Sequence, residues 1–149
     1  MKILFVCTGN TCRSPMAAAM MRHRVAEAGL PWEIDSAGLY AGAGQPMTDY
    51  ATDALIRRHI VVQKHASKRV TPELIDTSDL ILTMANSHRE ELIRQYPHAA
   101  SKIHTLTSFV GEPECDVADP FGGSPEAYEA CAASLEKMID LAFTKLHTD

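Results

Sequence analysis

Between Cys7 and Arg13 the chain sets a sulfur nucleophile and a planar cation at the two ends of a short polar loop, in the run Val6-Cys7-Thr8-Gly9-Asn10-Thr11-Cys12-Arg13-Ser14-Pro15. Backbone amides in such a turn converge on one point, and the helix start at Ser14-Pro15 adds positive potential there. A dianionic phosphoryl group suits that point, with Thr8, Gly9, Asn10, Thr11, Cys12 and Ser14 as the candidate phosphate-binding positions. Gly9 relieves crowding, and the Arg13 guanidinium can grip two equatorial oxygens in a bidentate geometry that lysine cannot reproduce. The same field favours the Cys7 thiolate, the reactive form of the side chain. In-line attack on phosphorus would give a cysteinyl phosphate, with the charge on the equatorial oxygens stabilised by the amides and Arg13. A leaving group on the far side still needs a proton. The bare Cys-Arg spacing is weak by itself, but an apolar strand before it and a helix start after it fit poorly with a buried Cys7 beside an unrelated surface Arg13.

The elements that must position this loop alternate between strand and helix. Lys2–Val6 reads as a buried strand, and Met16 to Ala28 has helical composition closed by Gly29. A short strand is expected around Trp32–Ser36, followed by a Gly-rich loop and a helix capped by Thr48 that carries Ala51, Ala54 and Leu55. Asp79–Met84 reads as a strand, Ser87 with Glu90 as a capping box opening a helix that ends before Pro97, and Lys102–Leu106 as a fourth strand. The last helix should start at Ser124 with Pro125 in its first position and a stripe of Tyr128, Cys131, Leu135, Met138, Ala142 and Leu146. Strands separated by helices of this size imply right-handed crossovers, so the fold expected for residues 1–149 is one α/β domain of three layers, α/β/α. Its sheet should be four-stranded and mostly parallel, with sites outside the strand carboxyl ends.

With 149 residues, 46% apolar and 22% charged, the chain can bury a core without staples. Its net charge of −5 disfavours nucleic acid or an anionic membrane as partner, so any anion site is local. The apolar run Ile3–Val6 is too short for a signal peptide or a membrane span, which leads to the expectation of a cytoplasmic protein. Cys7, Cys12, Cys115 and Cys131 lack zinc-site spacing. His23, His59, His88, His98, His104 and His147 do not pair with carboxylates or cysteines as ligands would, so surface or core roles are expected for them. No metal or cofactor is expected. Arg89, Glu90, Glu91 and Arg94 read as the solvated face of a helix.

On these residues the sequence resembles the low-molecular-weight protein tyrosine phosphatase family along nearly its whole length. Asp119-Pro120-Phe121 matches the family's Asp-Pro loop, and a residue before proline is biased to extended backbone from which Asp119 can project. The resemblance implies that Asp119 protonates the leaving atom and then activates water to hydrolyse the phosphocysteine. It also implies that Asn10, Ser14, Ser36 and His65 hold the loop in shape by hydrogen bonds. A phosphorylated protein substrate and a monomeric state are expected with it.

Thr11 stands where the tyrosine-directed pattern has an aliphatic residue, often Ile. The match is closer to the protein arginine phosphatase branch, which resembles this chain at Cys-Thr-Gly-Asn-Thr-Cys-Arg-Ser-Pro and at Asp-Pro-Phe-Gly-Gly-Ser. Phosphoarginine carries N–H donors beside phosphorus, and a threonine hydroxyl can accept from one where an isoleucine methyl would crowd it. Phosphoarginine is thus the expected substrate and phosphotyrosine the alternative. The rim Leu39–Gly44 has Tyr40 as its aromatic residue, and Phe121 is either a wall of the cleft or a core anchor. An arsenate reductase would need two further cysteines close together, whereas Cys115 and Cys131 are far apart in sequence. A non-catalytic anion-binding or redox module with a reversible Cys7–Cys12 disulfide is the reading from another class.

Overall fold

Along Ile3-Leu4-Phe5-Val6-Cys7 successive side chains point to opposite faces of a sheet. Both faces are covered in the computed structural model, which describes residues 1–112 and 116–148. The elements run β1 (Lys2–Cys7), α1 (Arg13–Glu27), β2 (Glu33–Gly38), α2 (Asp49–Arg57), α3 (Pro72–Thr77), β3 (Leu80–Thr83) and α4 (Asn86–Gln95). A 3-10 turn over Pro97–Lys102, β4 (Ile103–Thr105), α5 (Leu106–Phe109) and α6 (Pro125–His147) follow. Ile3, Phe5 and Cys7 enter one core with apolar residues of α1, α2 and α6. Leu4 and Val6 enter a second core with Ile75 of α3, Leu92 of α4 and Ala99 of the 3-10 turn. A strand buried on both faces needs a continuous apolar run, which is what β1 has.

The sheet order is β2-β1-β3-β4 and every pairing is parallel, giving the three-layer α/β/α architecture. The chain leaves β1 to build β2 on one side and crosses back to build β3 on the other. This is the switch point beside which open α/β sheets place their sites, off the strand carboxyl ends. The register sets Cys7 opposite Gly38 and Val6 opposite Thr83. A Cβ at Gly38 would lie 2.6 Å from the Thr8 carbonyl oxygen and 3.0 Å from the Asn10 nitrogen, so the loop after β1 can rest on β2 only because position 38 has no side chain.

Several expected boundaries move. Helix α1 begins at Arg13, three residues before Met16, because the loop feeds directly into it, and Gly29 with φ +66° follows its end as expected. Thr48 sits at the N-cap of α2 but makes no capping bond there; its hydroxyl lies 3.6 Å from the Cys12 sulfur instead. The capping box proposed for Ser87 and Glu90 is wrong. The N-cap is Ala85, whose N–H donates to His88 Nδ1 at 3.1 Å, and the Asn86 N–H is taken by Asp116 Oδ1 at 2.9 Å. Ser124 does cap α6, accepting from the Ala127 N–H at 3.2 Å with Pro125 in the first position, and its predicted stripe is buried except for half-buried Leu146. The helices α3 and α5 and the 3-10 turn had no counterpart in the sequence reading.

Candidate active site

The loop from Cys7 to Arg13 is shaped by what its carbonyls do. Cys7 O accepts from the Leu39 N–H (3.0 Å), Thr8 O from Tyr40 (3.0 Å), Thr11 O from Thr48 (3.0 Å) and Cys12 O from Met16 (3.1 Å). Asn10 O lies 2.7 Å from His65 Nε2. All five carbonyls are therefore drawn outward, and in a planar trans peptide the next N–H points the other way. The amides of Thr8, Gly9, Thr11, Cys12 and Arg13 are left on the inner side of the turn, as an anion cradle requires.

Asn10 locks this arrangement. It is fully buried and left-handed, with φ +57°, a conformation that asparagine tolerates better than most residues. Its Nδ2 donates to Ser14 Oγ and to Ser36 Oγ, each at 2.9 Å, and its Oδ1 accepts from the Lys68 N–H at 3.0 Å. Because Ser14 Oγ already accepts from Asn10, its own proton is free for the Cys7 sulfur, 2.9 Å away. The Asn10 N–H points at the same sulfur from 3.3 Å. Cys7 Sγ, buried at the end of β1, thus sits between two donors, the environment a thiolate needs.

Arg13 is 6% exposed and joins the loop to the segment carrying Asp119. Its Nη1 donates to Val117 O at 3.1 Å, and its Nη2 lies 3.4 Å from Asp119 Oδ2 and 3.5 Å from Thr8 Oγ1. Asp119 Oδ1 accepts from the Phe121 N–H at 3.1 Å, a short turn that aims the carboxylate inward. A hollow of about 190 Å³ opens over Cys7, bounded by Thr8, Gly9, Thr11, Cys12 and Arg13 on one side and by Asp119 and Phe121 on the other. Each of these residues was a candidate from sequence. Asn10, Ser14, Ser36 and His65 stand behind the loop, in the supporting positions implied for them. Phe121 is 70% exposed, so of its two readings the core anchor falls and the cleft wall stands. A larger cleft of about 390 Å³ lies behind the loop, past Ser36 and His65, and no cysteine is among the residues that line it.

The other thiols are built differently. Cys131 is buried in α6, and burial pushes its thiol up to about 12, which leaves it protonated and inert. The Cys12 sulfur lies 3.5 Å from the Tyr128 hydroxyl. Cys115 falls outside the described residues. Among those described, no cluster of His, Cys, Asp and Glu is arranged to hold a metal, and no helix is long and apolar enough to cross a membrane.

Sequence reading missed His88 and Asp116. His88, expected to be an uninvolved surface or core residue, is buried with Nε2 2.9 Å from Thr8 Oγ1. Burial first, then the nearby Arg13 charge, lowers its pKa to about 4. No local pattern signals a contact across 80 positions of chain.

A model of the low molecular weight phosphotyrosine protein phosphatase family matches residues 2–149. The chain is 38% identical to the protein-arginine-phosphatase of Bacillus subtilis, over all of this chain and 99% of that protein. It is 37% identical to the low molecular weight protein-tyrosine-phosphatase PtpB of Staphylococcus haemolyticus, over 93% of this chain and 95% of that one. A structure of the YwlE arginine phosphatase, a mutant with serine in place of the cysteine and that active-site serine phosphorylated, superposes with a TM-score of 0.95 at 37% identity. The match covers all of this chain and 97% of the other.

Proposed function

The chain belongs to the low molecular weight phosphotyrosine protein phosphatase family, and within it we propose that this protein removes phosphate from phosphoarginine in proteins, through a cysteinyl phosphate on Cys7. The observation that carries this reading is the Cys7 sulfur held between the Asn10 amide and the Ser14 hydroxyl at the floor of an amide-lined loop, with Asp119 across the hollow. The Cys7 thiolate attacks phosphorus, the S–P bond forms and the P–N bond to the guanidino group breaks. Asp119 gives its proton to the departing nitrogen. The carboxylate then takes a proton from water, whose oxygen attacks phosphorus, releasing inorganic phosphate and restoring the thiolate. Arg13, tied through Nη1 to Val117, turns its Nη2 from Asp119 to the phosphoryl oxygens as the charge on them develops.

Arginine is favoured over tyrosine by Thr11, which lines the hollow where its hydroxyl can accept from a guanidino N–H. The full-length likeness to a named protein-arginine-phosphatase supports the same choice. Phosphotyrosine remains the second reading, because PtpB, named for tyrosine, covers nearly as much of the chain and exposed Phe121 could stack on a phenyl ring. A cytoplasmic monomer acting on phosphorylated protein completes the proposal. Matched phosphoarginine and phosphotyrosine peptides test it: the unmodified protein should prefer phosphoarginine, and Thr11→Ile should shrink that preference by about tenfold or more. Equal or faster turnover of phosphotyrosine by the unmodified protein would overturn the arginine assignment.

A further inference from the structure

Resting on that functional reading, we propose that His88 is a positioning residue of the reaction: from the start of α4 it orients the Thr8 hydroxyl so that the hydroxyl proton is offered to the phosphoryl group in the cradle. The argument begins with the ring. Ala85 N–H can only donate, so His88 Nδ1, 3.1 Å from it, must be an unprotonated acceptor. A neutral imidazole then carries its proton on Nε2, and Nε2 lies 2.9 Å from Thr8 Oγ1. The direction of that hydrogen bond is fixed: His88 donates and Thr8 accepts. Arg13 Nη2, 3.5 Å away, is a second and weaker donor to the same oxygen. With two donors on its oxygen, Thr8 keeps its own proton for a third direction, and Thr8 lines the hollow beside Cys7.

The arrangement depends on a neutral ring. A protonated His88 would set an N–H against the Ala85 N–H and a positive charge beside Arg13. The charged groups acting on the ring are Arg13 from α1, which disfavours protonation, and Asp116 and Asp119 from the segment before α6, which favour it. Burial outweighs both, and the ring stays neutral down to about pH 4. His88 therefore does not shuttle protons; it acts through Thr8. The same side chain serves as the cap of α4, so its two roles must be separated by experiment.

His88→Gln does this, since a glutamine at this helix position can still accept from the N-cap N–H while giving up Thr8. His88→Gln and the volume-conserving His88→Phe are compared with Thr8→Val and with the His88→Gln/Thr8→Val pair. Each is assayed for phosphopeptide turnover, for affinity for inorganic phosphate by calorimetry, and for melting temperature. Both His88 variants should lose about tenfold in kcat/KM and in phosphate affinity, with His88→Gln melting near the unmodified protein. The double variant should be no worse than Thr8→Val alone, because the two residues act as one unit. Losses that multiply in the double variant, or phosphate affinity within twofold of the unmodified protein in His88→Gln, would overturn the proposal. An unmodified protein that binds phosphate but hydrolyses neither phosphopeptide would overturn the functional reading instead, and the phosphate affinities would still decide the role of His88.

Discussion

The loop from Cys7 to Arg13 and the segment from Asp116 to Gly123 border the same hollow and are held in opposite ways. In the first, five carbonyls and the Asn10 side chain are engaged by partners behind the loop, from α1, the end of β2, the start of α2 and the stretch before α3. In the second, the fastenings are at the ends. Val117 N–H donates to Met84 O at 2.8 Å, Asp116 caps α4, and Gly123 N–H closes a turn onto Pro120 O at 2.8 Å before Ser124 starts α6. Between those points Phe121 stands in solvent, and half-exposed Asp119 meets the rest of the site through Arg13 at 3.4 Å. The difference fits the two tasks of the proposed mechanism. A phosphoryl group is recognised by amides whose directions must be fixed in advance, because reorganising them during reaction would forfeit the stabilisation they provide. In that mechanism Asp119 has to meet leaving groups that arrive from outside, so its loop must leave an entrance.

The comparison can be broken by variants that separate chemistry from stability. Asp119→Asn should have the largest effect, lowering kcat by about 10²–10⁴-fold on a phosphopeptide. Its half-exposed side chain should change unfolding free energy by less than about 1 kcal/mol in urea titration. A large stability loss there would mean that the acid loop is braced as firmly as the cradle. Asn10→Ala should behave in reverse. It removes three side-chain hydrogen bonds and leaves alanine at φ +57°, so stability should fall by about 2–4 kcal/mol, with activity falling because Ser14 Oγ is no longer fixed beside the Cys7 sulfur and the turn loses its lock. An unchanged melting temperature would refute the locking role given to Asn10. Phe121→Ala is the mildest. With the ring 70% exposed, stability should stay within about 0.5 kcal/mol while KM for phosphopeptides rises a few-fold with little change in kcat. A stability loss above 2 kcal/mol would restore the core-anchor reading of Phe121.

Legibility in the sequence follows the same division. The cradle could be read because strand, loop and helix start are contiguous, and the apolar run of β1 with Ser14-Pro15 behind it fixes where the turn must be. The cap of α6 was equally local, a serine followed by proline. The cap of α4 failed for a specific reason: Ser87 and Glu90 fit the usual pattern, but a histidine ring nitrogen and a distant carboxylate, Asp116, took the two amides instead. Thr48 was placed correctly and given the wrong bond, since the Cys12 sulfur competes for its hydroxyl. Ser14, Ser36 and His65 as partners of Asn10 came only through family resemblance, and Lys68, like the contact of His88 with Thr8, came through neither route. Such contacts are decided by which strands lie side by side, and that order is settled by the whole chain.

The position of β1 in the middle of the sheet also governs when the thiol becomes dangerous to its surroundings. Cys7 leaves the ribosome well before the groups that shape its loop: Ser36, His65, Lys68 and finally His88. Contacts of such long separation form only after the intervening chain has been made and has collapsed. A nascent or truncated chain ending before β2 carries the Cys7 thiol without any of these supports, so the order of synthesis keeps the sulfur out of its cradle until the later elements exist.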